Sequence, residues 1–554
     1  MNQHAPILLI LIPFLAALLQ LLQPRLPFQR AIGLLASLLG VAATVWLTLL
    51  ADDGMLRVYA LGGWSAPFGI VLVADRLAAG MTLLTTLLGL CCLLYASGGF
   101  DARGRFFHPL FQLQILGLNG AFLTGDLFNL FVFFEIMLLA SYALLAQTGG
   151  LARTRAEIAY VVLNLLGSSI FLIGLGLLYG TLGTLNLADV AYRLSLPGIL
   201  VPGVRLALVL LVSVFVLKAA LLPLSFWLPH TYAAAPAPVA ALFAIMTKVG
   251  IVALLRLQVI AIYPAQPDLL DGWLTTLALA TVLFAVLGAL AAKNMKMLAA
   301  WLVLLSAGTL LVVPAQASAE VSAAGLFYLV HSTFAGAAFF LLADVIAEQR
   351  GAAGNAFVPG QNRLPAWSGI AFLMVAMTLV GLPPFSGFIG KLMLLDALRG
   401  VEAGVVIWAV LLSASLLVMM ALVRGGSTLI WENGPSACEN IKNPPQSRKG
   451  AEKTQRKSHV FKGFLCEIFA PLRLCGGCSG ISSQPPGNAD SPKIGWRRLG
   501  AMLCLIAAGP LLALFVQPIA GYAQRTATQL HDANAYIHGV LGNDPASIQR
   551  ESRE

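Results

Sequence analysis

Five ionisable side chains lie inside long apolar runs of this sequence: Glu135, Lys218, Lys248, His331 and Lys391. A charged group at the centre of a lipid bilayer costs at least about 2.5–3.5 kcal/mol on insertion scales, so each of them must face protein or water. Buried carboxylates, amines and imidazoles can exchange protons because each changes its charge reversibly and responds to its neighbours. The five residues therefore predict a proton-transfer path inside a membrane protein.

Two of the lysines lie beside prolines within their apolar runs. Lys218 precedes Pro223 in FVLKAALLPLSFWLPH, and Lys391 follows Pro383 and Pro384 in GLPPFSGFIGK. A proline removes one main-chain N–H and frees a carbonyl one turn earlier, so both runs should form broken helices. Paired broken helices are typical of transporters that consist of two inverted repeats. Lys391 is therefore expected to be the counterpart of Lys218 in the second repeat.

The other three residues are interpreted relative to these lysines. Glu135 would tune the charge state of Lys218, and Lys248 would provide a second buried amine on the following helix. His331 suits a relay between lysines because an imidazole titrates near neutral pH. Each residue also has a possible structural role. Glu135 could be the partner of a single cation, Lys248 could cap carbonyls that a neighbouring broken helix frees, and His331 could simply pack in the core.

The composition excludes most other classes of protein. Of the 554 residues, 59% are hydrophobic and only 10% are charged, whereas soluble proteins carry about 25% charged residues. No P-loop, dinucleotide-binding glycine motif, H-E-x-x-H or nucleophile elbow is present, so no cofactor, no metal and no enzymatic site are expected. The net charge of +10 indicates basic loops rather than nucleic-acid binding.

Runs of about 18 or more apolar residues predict an all-α integral membrane protein with about 14 transmembrane helices. Basic residues fall in alternate loops, which places both termini outside the cytoplasm. The loop after the second helix contains alternating β-formers and a Gly-Gly pair, which favour a short extracytoplasmic hairpin. The predicted organisation is three N-terminal helices with the hairpin (1–107), a first five-helix repeat (108–256), a second five-helix repeat (272–424), a basic cytoplasmic loop (425–496), and the last helix with an extracytoplasmic tail (497–554).

Residues 432–493 differ from the rest of the chain. They are polar and rich in Pro, Gly and Ser, with nine Lys or Arg, and this composition is typical of disorder. Cys475 and Cys478 have one zinc-knuckle spacing, but Cys438 and Cys466 form no regular second pair and no well-placed histidine follows, so a metal site is not predicted. The composition resembles translated repetitive DNA, and we interpret the segment as a recent insertion in a loop.

The buried residues belong to four stretches that resemble one family: FNLFVFFEIMLLASYAL, FVLKAALLPLSFWLPHTYAAAPAPVAALFAIMTKVGIVALLR, AAKNMKMLAAWLVLLSAG and GLPPFSGFIGK. The sequence resembles the antiporter-like membrane subunits that respiratory complex I shares with the Mrp-, Mnh- or Pha-type monovalent cation/proton antiporters. Within that family it is most similar to the D-type subunit of the Mrp/Pha group. The resemblance covers nearly the whole chain except 432–493.

The resemblance gives each buried residue a role: Glu135 and Lys218 as the family's glutamate–lysine pair, Lys248 as its central lysine, His331 as its histidine on the eleventh helix, and Lys391 as its terminal lysine. It implies partners, namely the other subunits of a hetero-oligomeric antiporter, together with protons and sodium or potassium ions. It also implies a bacterial inner membrane. Some relatives carry a lysine where this chain has Gly336, so the second half would rely on His331 and water.

Two other functions fit the same residues. The first is a proton-pumping subunit of a quinone-linked NADH dehydrogenase or hydrogenase, which redox partners would drive. The second is a scaffold subunit that conducts nothing. A scaffold gains nothing from desolvating several charges, so the buried lysines favour conduction.

The insertion hypothesis predicts that deleting 434–492 leaves transport intact, because a segment in a loop outside the membrane contributes little to the packed fold. Antiport is to be measured in an antiporter-deficient host. Loss of transport at normal expression of the shortened chain would contradict the hypothesis.

Overall fold

The computed structural model describes residues 4–147, 149, 151–270, 272–360, 364–430 and 494–542. The described chain is mostly α-helical, because a helix satisfies its main-chain hydrogen bonds internally and can therefore lie in lipid. The helices are α1 (Ala5–Leu22), α2 (Leu26–Ala51), α3 (Arg76–Ala96), α4 (Phe107–Leu123), α5 (Leu127–Ala146), α6 (Leu151–Leu182), α7 (Leu187–Leu194), α8 (Pro202–Lys218), α9 (Trp227–Ala234), α10 (Ala237–Phe243), α11 (Met246–Leu257), α12 (Tyr263–Ala265), α13 (Trp273–Ala291), α14 (Met295–Gln316), α15 (Ala319–Arg350), α16 (Ala366–Val380), α17 (Ser386–Ala397), α18 (Gly404–Ile430), α19 (Trp496–Leu514), α20 (Val516–Leu530) and α21 (Ala533–Leu541).

Within the described ranges, 11 helical segments are long and apolar enough to cross a membrane. The other three predicted spans consist of shorter helices. One is α4, with 17 residues, and the other two are the pairs α8/α9 and α16/α17, which the proline segments interrupt. Both proline-containing runs are thus broken helices, as their sequences predict.

The two breaks have similar main-chain geometry. After α8, Ala220 adopts φ +60°, and the N–H of Leu221 donates to the carbonyl of Val216 (2.9 Å). After α16, Gly381 adopts φ +84°, and the N–H of Leu382 donates to Met377 (3.0 Å). A residue in the left-handed region ends a helix and turns the chain, so each run leaves its axis at this point.

The predicted hairpin is present. Strands β1 (Arg57–Ala60) and β2 (Val71–Ala74) pair antiparallel. The C-terminal helices lie at the same end of the bundle, because Gln529 donates to the carbonyl of Gly54 (2.8 Å) and Arg525 pairs with Asp52 (2.8 Å). This contact agrees with the prediction that the hairpin and the tail share one side of the membrane.

Helices α6 and α15 have equal lengths and matching contacts. Each contains 32 residues, and their first residues lie 168 positions apart, as do those of α5 and α14. At this spacing Ser141 and Tyr160, whose hydroxyls lie 2.9 Å apart, correspond to a second pair of hydroxyl residues, Thr309 and Tyr328. The helix pairs α5/α6 and α14/α15 therefore correspond in individual residues as well as in their spacing along the chain.

The predicted start of the basic loop is wrong. Residues 425–430 belong to α18 rather than to the basic loop, because Leu429 is buried and extends the packed face of that helix. The last helix that can cross the membrane, α19, ends at Leu514, since Pro518 cannot donate to the carbonyl four residues earlier. Residues 516–530 form the separate helix α20. The predicted insertion, with Cys475 and Cys478, lies outside the described residues.

Candidate functional site

Lys218 is the last residue of α8 and is only 6% exposed. Its amine donates to the side-chain oxygen of Asn164 on α6, at 3.1 Å. The amide nitrogen of Asn164 in turn donates to the carbonyl of Tyr160 (2.9 Å), which fixes which end of the amide faces the lysine. One neutral side chain therefore replaces part of the hydration that the amine loses on burial.

Glu135 on α5 does not touch Lys218. No ion pair within 4 Å joins the two among the residues that the structure describes, although the carboxylate is close enough to act on the amine electrostatically. The carboxylate instead accepts a hydrogen bond from Ser168 on α6. The Ser168 hydroxyl also lies 3.1 Å from the carbonyl of Asn164, so it has two acceptors for a single proton.

These contacts form a polar stripe on α6 that consists of Tyr160, Asn164 and Ser168. Residues four apart lie on one face of a helix, one above the other. Asn164 and Ser168 thus stand between Glu135 and Lys218 and join them through one helix face. Neither residue was predicted from the sequence, although polar residues at this spacing within the run AYVVLNLLGSSIFL were a signal.

Lys248 on α11 is fully buried. Its amine donates to the hydroxyl of Ser306 on α14 (3.0 Å). Two residues along α11, Gly250 faces α8 so closely that an added Cβ would lie 2.9 Å from the Phe215 carbonyl and 3.0 Å from the Lys218 Cβ. A glycine at this position therefore lets the helix that carries Lys248 approach Lys218.

His331 on α15 lies beside the second break and is 2% exposed. Its Nδ1 is 2.9 Å from the hydroxyl of Ser386, the first residue of α17. An added Cβ at Gly387 would lie 3.0 Å from the His331 ring, so this glycine lets the imidazole approach α17. The charges of Lys248 and Lys391 both act on His331.

Lys391 on α17 is half-buried. Its amine donates to the carbonyl of Val380 (2.7 Å), the last residue of α16, and to the hydroxyl of Ser415 on α18 (2.8 Å). The break therefore supplies the lysine with an oxygen that a continuous helix would use internally. Gly381 adopts φ +84°, and a Cβ added to it would lie 3.1 Å from the Cδ of Lys391. Only a glycine therefore fits at this position without strain.

The expected equivalence of Lys218 and Lys391 is wrong in position. Lys218 precedes its break, whereas Lys391 lies after its break, in the helix α17. When the two breaks are aligned on Pro223 and Pro384, Lys391 corresponds to His230, which is exposed. The two lysines therefore lie on opposite sides of otherwise similar breaks.

The second half has no counterpart of the Glu135–Ser168 contact. At the spacing that relates α5 to α14 and α6 to α15, Val303 corresponds to Glu135 and Gly336 corresponds to Ser168. An added Cβ at Gly336 would lie 3.3 Å from the Val303 side chain. An apolar contact thus occupies the place where the first half holds a carboxylate and a hydroxyl.

Within the described ranges, no three His, Cys, Asp or Glu side chains gather in a way that could hold a metal ion. The structure places Lys248, His331 and Lys391 along the centre of the bundle. Lys218 lies at the end of α8, and the Glu135 carboxylate is near it. The three lysine amines and the Nδ1 of His331 each have a hydroxyl, amide or carbonyl partner. Such an arrangement can hold and pass protons.

Residues 124–417 match the family model described as NADH:quinone oxidoreductase/Mrp antiporter, membrane part. The chain belongs to this family. It is 40% identical to the D-type subunit of a probable K(+)/H(+) antiporter of Rhizobium meliloti over 474 residues, which cover 77% of this chain and 87% of that protein. It is 36% identical to the D-type subunit of the Na(+)/H(+) antiporter of Bacillus subtilis, over 76% of this chain and 85% of that protein.

Solved structures of the antiporter family have the same fold. A chain of the Mrp complex from Dietzia sp. DQ12-45-1b superimposes with a TM-score of 0.81 at 29% identity, over 98% of this chain and 99% of that chain. A chain of respiratory complex I from Thermus thermophilus superimposes with a TM-score of 0.71 at 23% identity, over 96% and 100%. The second likeness shows the shared fold alone.

The polar stripe on α6 predicts that Ser168→Ala lowers antiport about tenfold or more, because a hydrogen bond to a charged group contributes about 1.5–3 kcal/mol. Ser169→Ala is the matched control, since the neighbouring Ser169 is exposed and bonds only its own helix, at Leu165. Cation-dependent proton flux in everted vesicles is the measurement. Equal rates in the two variants would show that the Ser168–Glu135 contact has no part in transport.

Proposed function

We propose that this chain is the proton-translocating membrane subunit of a multi-subunit Na⁺ or K⁺/H⁺ antiporter. The observation that carries the proposal is the series of buried ionisable groups, each with an uncharged hydrogen-bond partner, that runs through the centre of the bundle. Relatives named as D-type antiporter subunits support the same function. We further propose the bacterial inner membrane as its location.

The first element of the mechanism is the hydroxyl of Ser168. When Glu135 is ionised, the hydroxyl donates its proton to the carboxylate. When Glu135 is protonated, the carboxyl group donates to Ser168, whose proton then turns to the Asn164 carbonyl. The charge of Glu135 and the hydrogen bonds of α6 therefore change together, next to the amide that holds Lys218.

This change controls whether Lys218 holds a proton. An ionised Glu135 stabilises the ammonium form, and a neutral Glu135 leaves it unsupported in a buried site, so the lysine releases its proton. Lys248 is the next amine, because α11 approaches Lys218 at Gly250. His331 then connects Lys248 to Lys391, whose amine at the second break delivers the proton to the far side.

The proposed architecture has 14 spans, two inverted five-helix repeats (108–256 and 272–424) and both termini outside the cytoplasm. The equal spacing of α5/α14 and α6/α15 and the similar breaks support the repeats. The alternation of basic loops supports the orientation. The other antiporter subunits are the proposed partners, and the sodium or potassium ion is the second substrate of the complex.

A redox-driven pump is the second candidate, because the complex I chain has the same fold. Reconstitution separates the two. An antiporter subunit supports proton flux that an imposed sodium or potassium gradient drives without any electron donor, whereas a redox-driven subunit moves protons only when NADH or hydrogen is oxidised.

The relay predicts that Lys218→Ala and Glu135→Ala each abolish cation-driven proton flux, because the first removes the proton acceptor and the second removes the charge that controls it. Both variants should still insert into the membrane. The measurement is antiport in vesicles from an antiporter-deficient host, with the amount of the protein in the membrane measured by immunoblot.

Lys293→Ala is the control, since Lys293 is an exposed lysine that lies outside the relay. It should retain the wild-type rate. Retained antiport in Lys218→Ala or Glu135→Ala, at normal amounts of the protein, would defeat the assignment.

A further inference from the structure

A polar cavity of about 580 Å³ lies at the end of the bundle opposite the β-hairpin, where α3 ends. It is separate from the proton relay. Its ionisable lining residues, apart from Tyr95, are Arg103, Arg153, Lys296, Asp344, Glu348 and Arg498. Four of these side chains are cationic and two are carboxylates, so the cavity carries an excess of positive charge.

Arg498 on α19 pairs with both carboxylates. Its guanidinium pairs with Glu348 (2.5 Å) and with Asp344 (3.2 Å), and the Tyr95 hydroxyl adds a hydrogen bond to Asp344 (2.9 Å). Gly98 makes room for this arginine, because an added Cβ there would lie 2.4 Å from the Arg498 Cγ. Both carboxylates are therefore occupied within the fold.

Arg103 and Arg153 remain without a carboxylate partner. Among the described residues, no carboxylate oxygen lies within 4 Å of either guanidinium. Glu157 on the same helix acts on Arg153 without an ion pair, and Arg103 and Arg153 act on each other and on Lys296, whose nearest carboxylate, Asp344, is 3.9 Å away. These three cations outnumber the one carboxylate charge that Arg498 leaves uncompensated, and a bound anion would relieve the repulsion among them.

We propose that this cavity binds the phosphate group of an anionic phospholipid. Guanidinium groups recognise phosphate through paired hydrogen bonds, and basic pockets between membrane helices bind anionic headgroups. The volume exceeds what an inorganic phosphate ion alone would fill. A lipid therefore fits the cavity better than a free ion.

The residues that border the cavity indicate that it lies at the level of the membrane interface. Arg105 lies over the ring of Phe106, and Arg497 lies over the ring of Trp496, close in sequence to the lining residues Arg103 and Arg498. Phe106 is 49% exposed and Trp496 is 73% exposed. Exposed aromatic residues with neighbouring arginines are typical of the headgroup level of a bilayer.

The test compares the purified complex with variants in native mass spectrometry and in thermal unfolding, after titration with phosphatidylglycerol, with phosphatidylethanolamine or with inorganic phosphate. The variant is Arg103→Gln/Arg153→Gln. Arg155→Gln is the matched control, since Arg155 is exposed on the same helix as Arg153 and does not line the cavity. Because Arg153 also donates to the Ala234 carbonyl (2.9 Å), Arg103→Gln alone serves if the double variant does not assemble.

The wild type and Arg155→Gln should retain one more phosphatidylglycerol than Arg103→Gln/Arg153→Gln, and only their unfolding midpoints should rise with this lipid. The double variant should bind it at least tenfold more weakly. Equal retention in all variants would overturn the site. The same response to phosphatidylethanolamine would also overturn it, and a response to inorganic phosphate alone would overturn the assignment to a lipid.

Discussion

The structure depends on one constraint, which is that an amine buried in a membrane protein must receive its solvation from the protein itself. A lysine in lipid is costly, and a partner of fixed charge would hold it permanently protonated. Lys218, Lys248 and the half-buried Lys391 instead receive neutral oxygens. These come from an amide at Lys218, a hydroxyl at Lys248, and a carbonyl with a hydroxyl at Lys391. Neutral partners stabilise the ammonium form without locking it, and this is what a group that must release a proton needs.

The broken helices follow from the same constraint. A continuous helix keeps all its carbonyls for itself, whereas the second break leaves the Val380 carbonyl for Lys391. The first break is used differently, because Lys218 ends the helix before the break and takes its oxygen from α6. The two breaks have similar main-chain geometry, but only the second supplies a carbonyl oxygen to its lysine. The halves also differ at Glu135 and Ser168, which correspond to Val303 and Gly336, so the second half holds no carboxylate at this position.

Much of this could be predicted from the sequence. Charged residues in apolar runs, and prolines beside them, can be recognised in the sequence alone. These features identify both breaks and the buried or half-buried ionisable residues Glu135, Lys218, Lys248, His331 and Lys391. The partners of these residues could not be predicted in the same way. Serine and asparagine in membrane helices commonly bond their own backbone, so only the packing of α6 shows that Asn164 faces a lysine. The predicted equivalence of the two lysines is wrong because it matches the broken helices and ignores that Lys218 precedes its proline whereas Lys391 follows its prolines.

The central claim is that Glu135 acts on Lys218 through the polar face of α6 and not through an ion pair. A double-mutant comparison of Glu135→Gln, Asn164→Leu and the variant with both changes tests it, with cation-driven proton flux as the measurement. If the residues act as one unit, the combined variant should be no slower than the slower single variant, within about a factor of two. Losses that multiply would show that Glu135 and Asn164 act on separate steps, and would contradict the account.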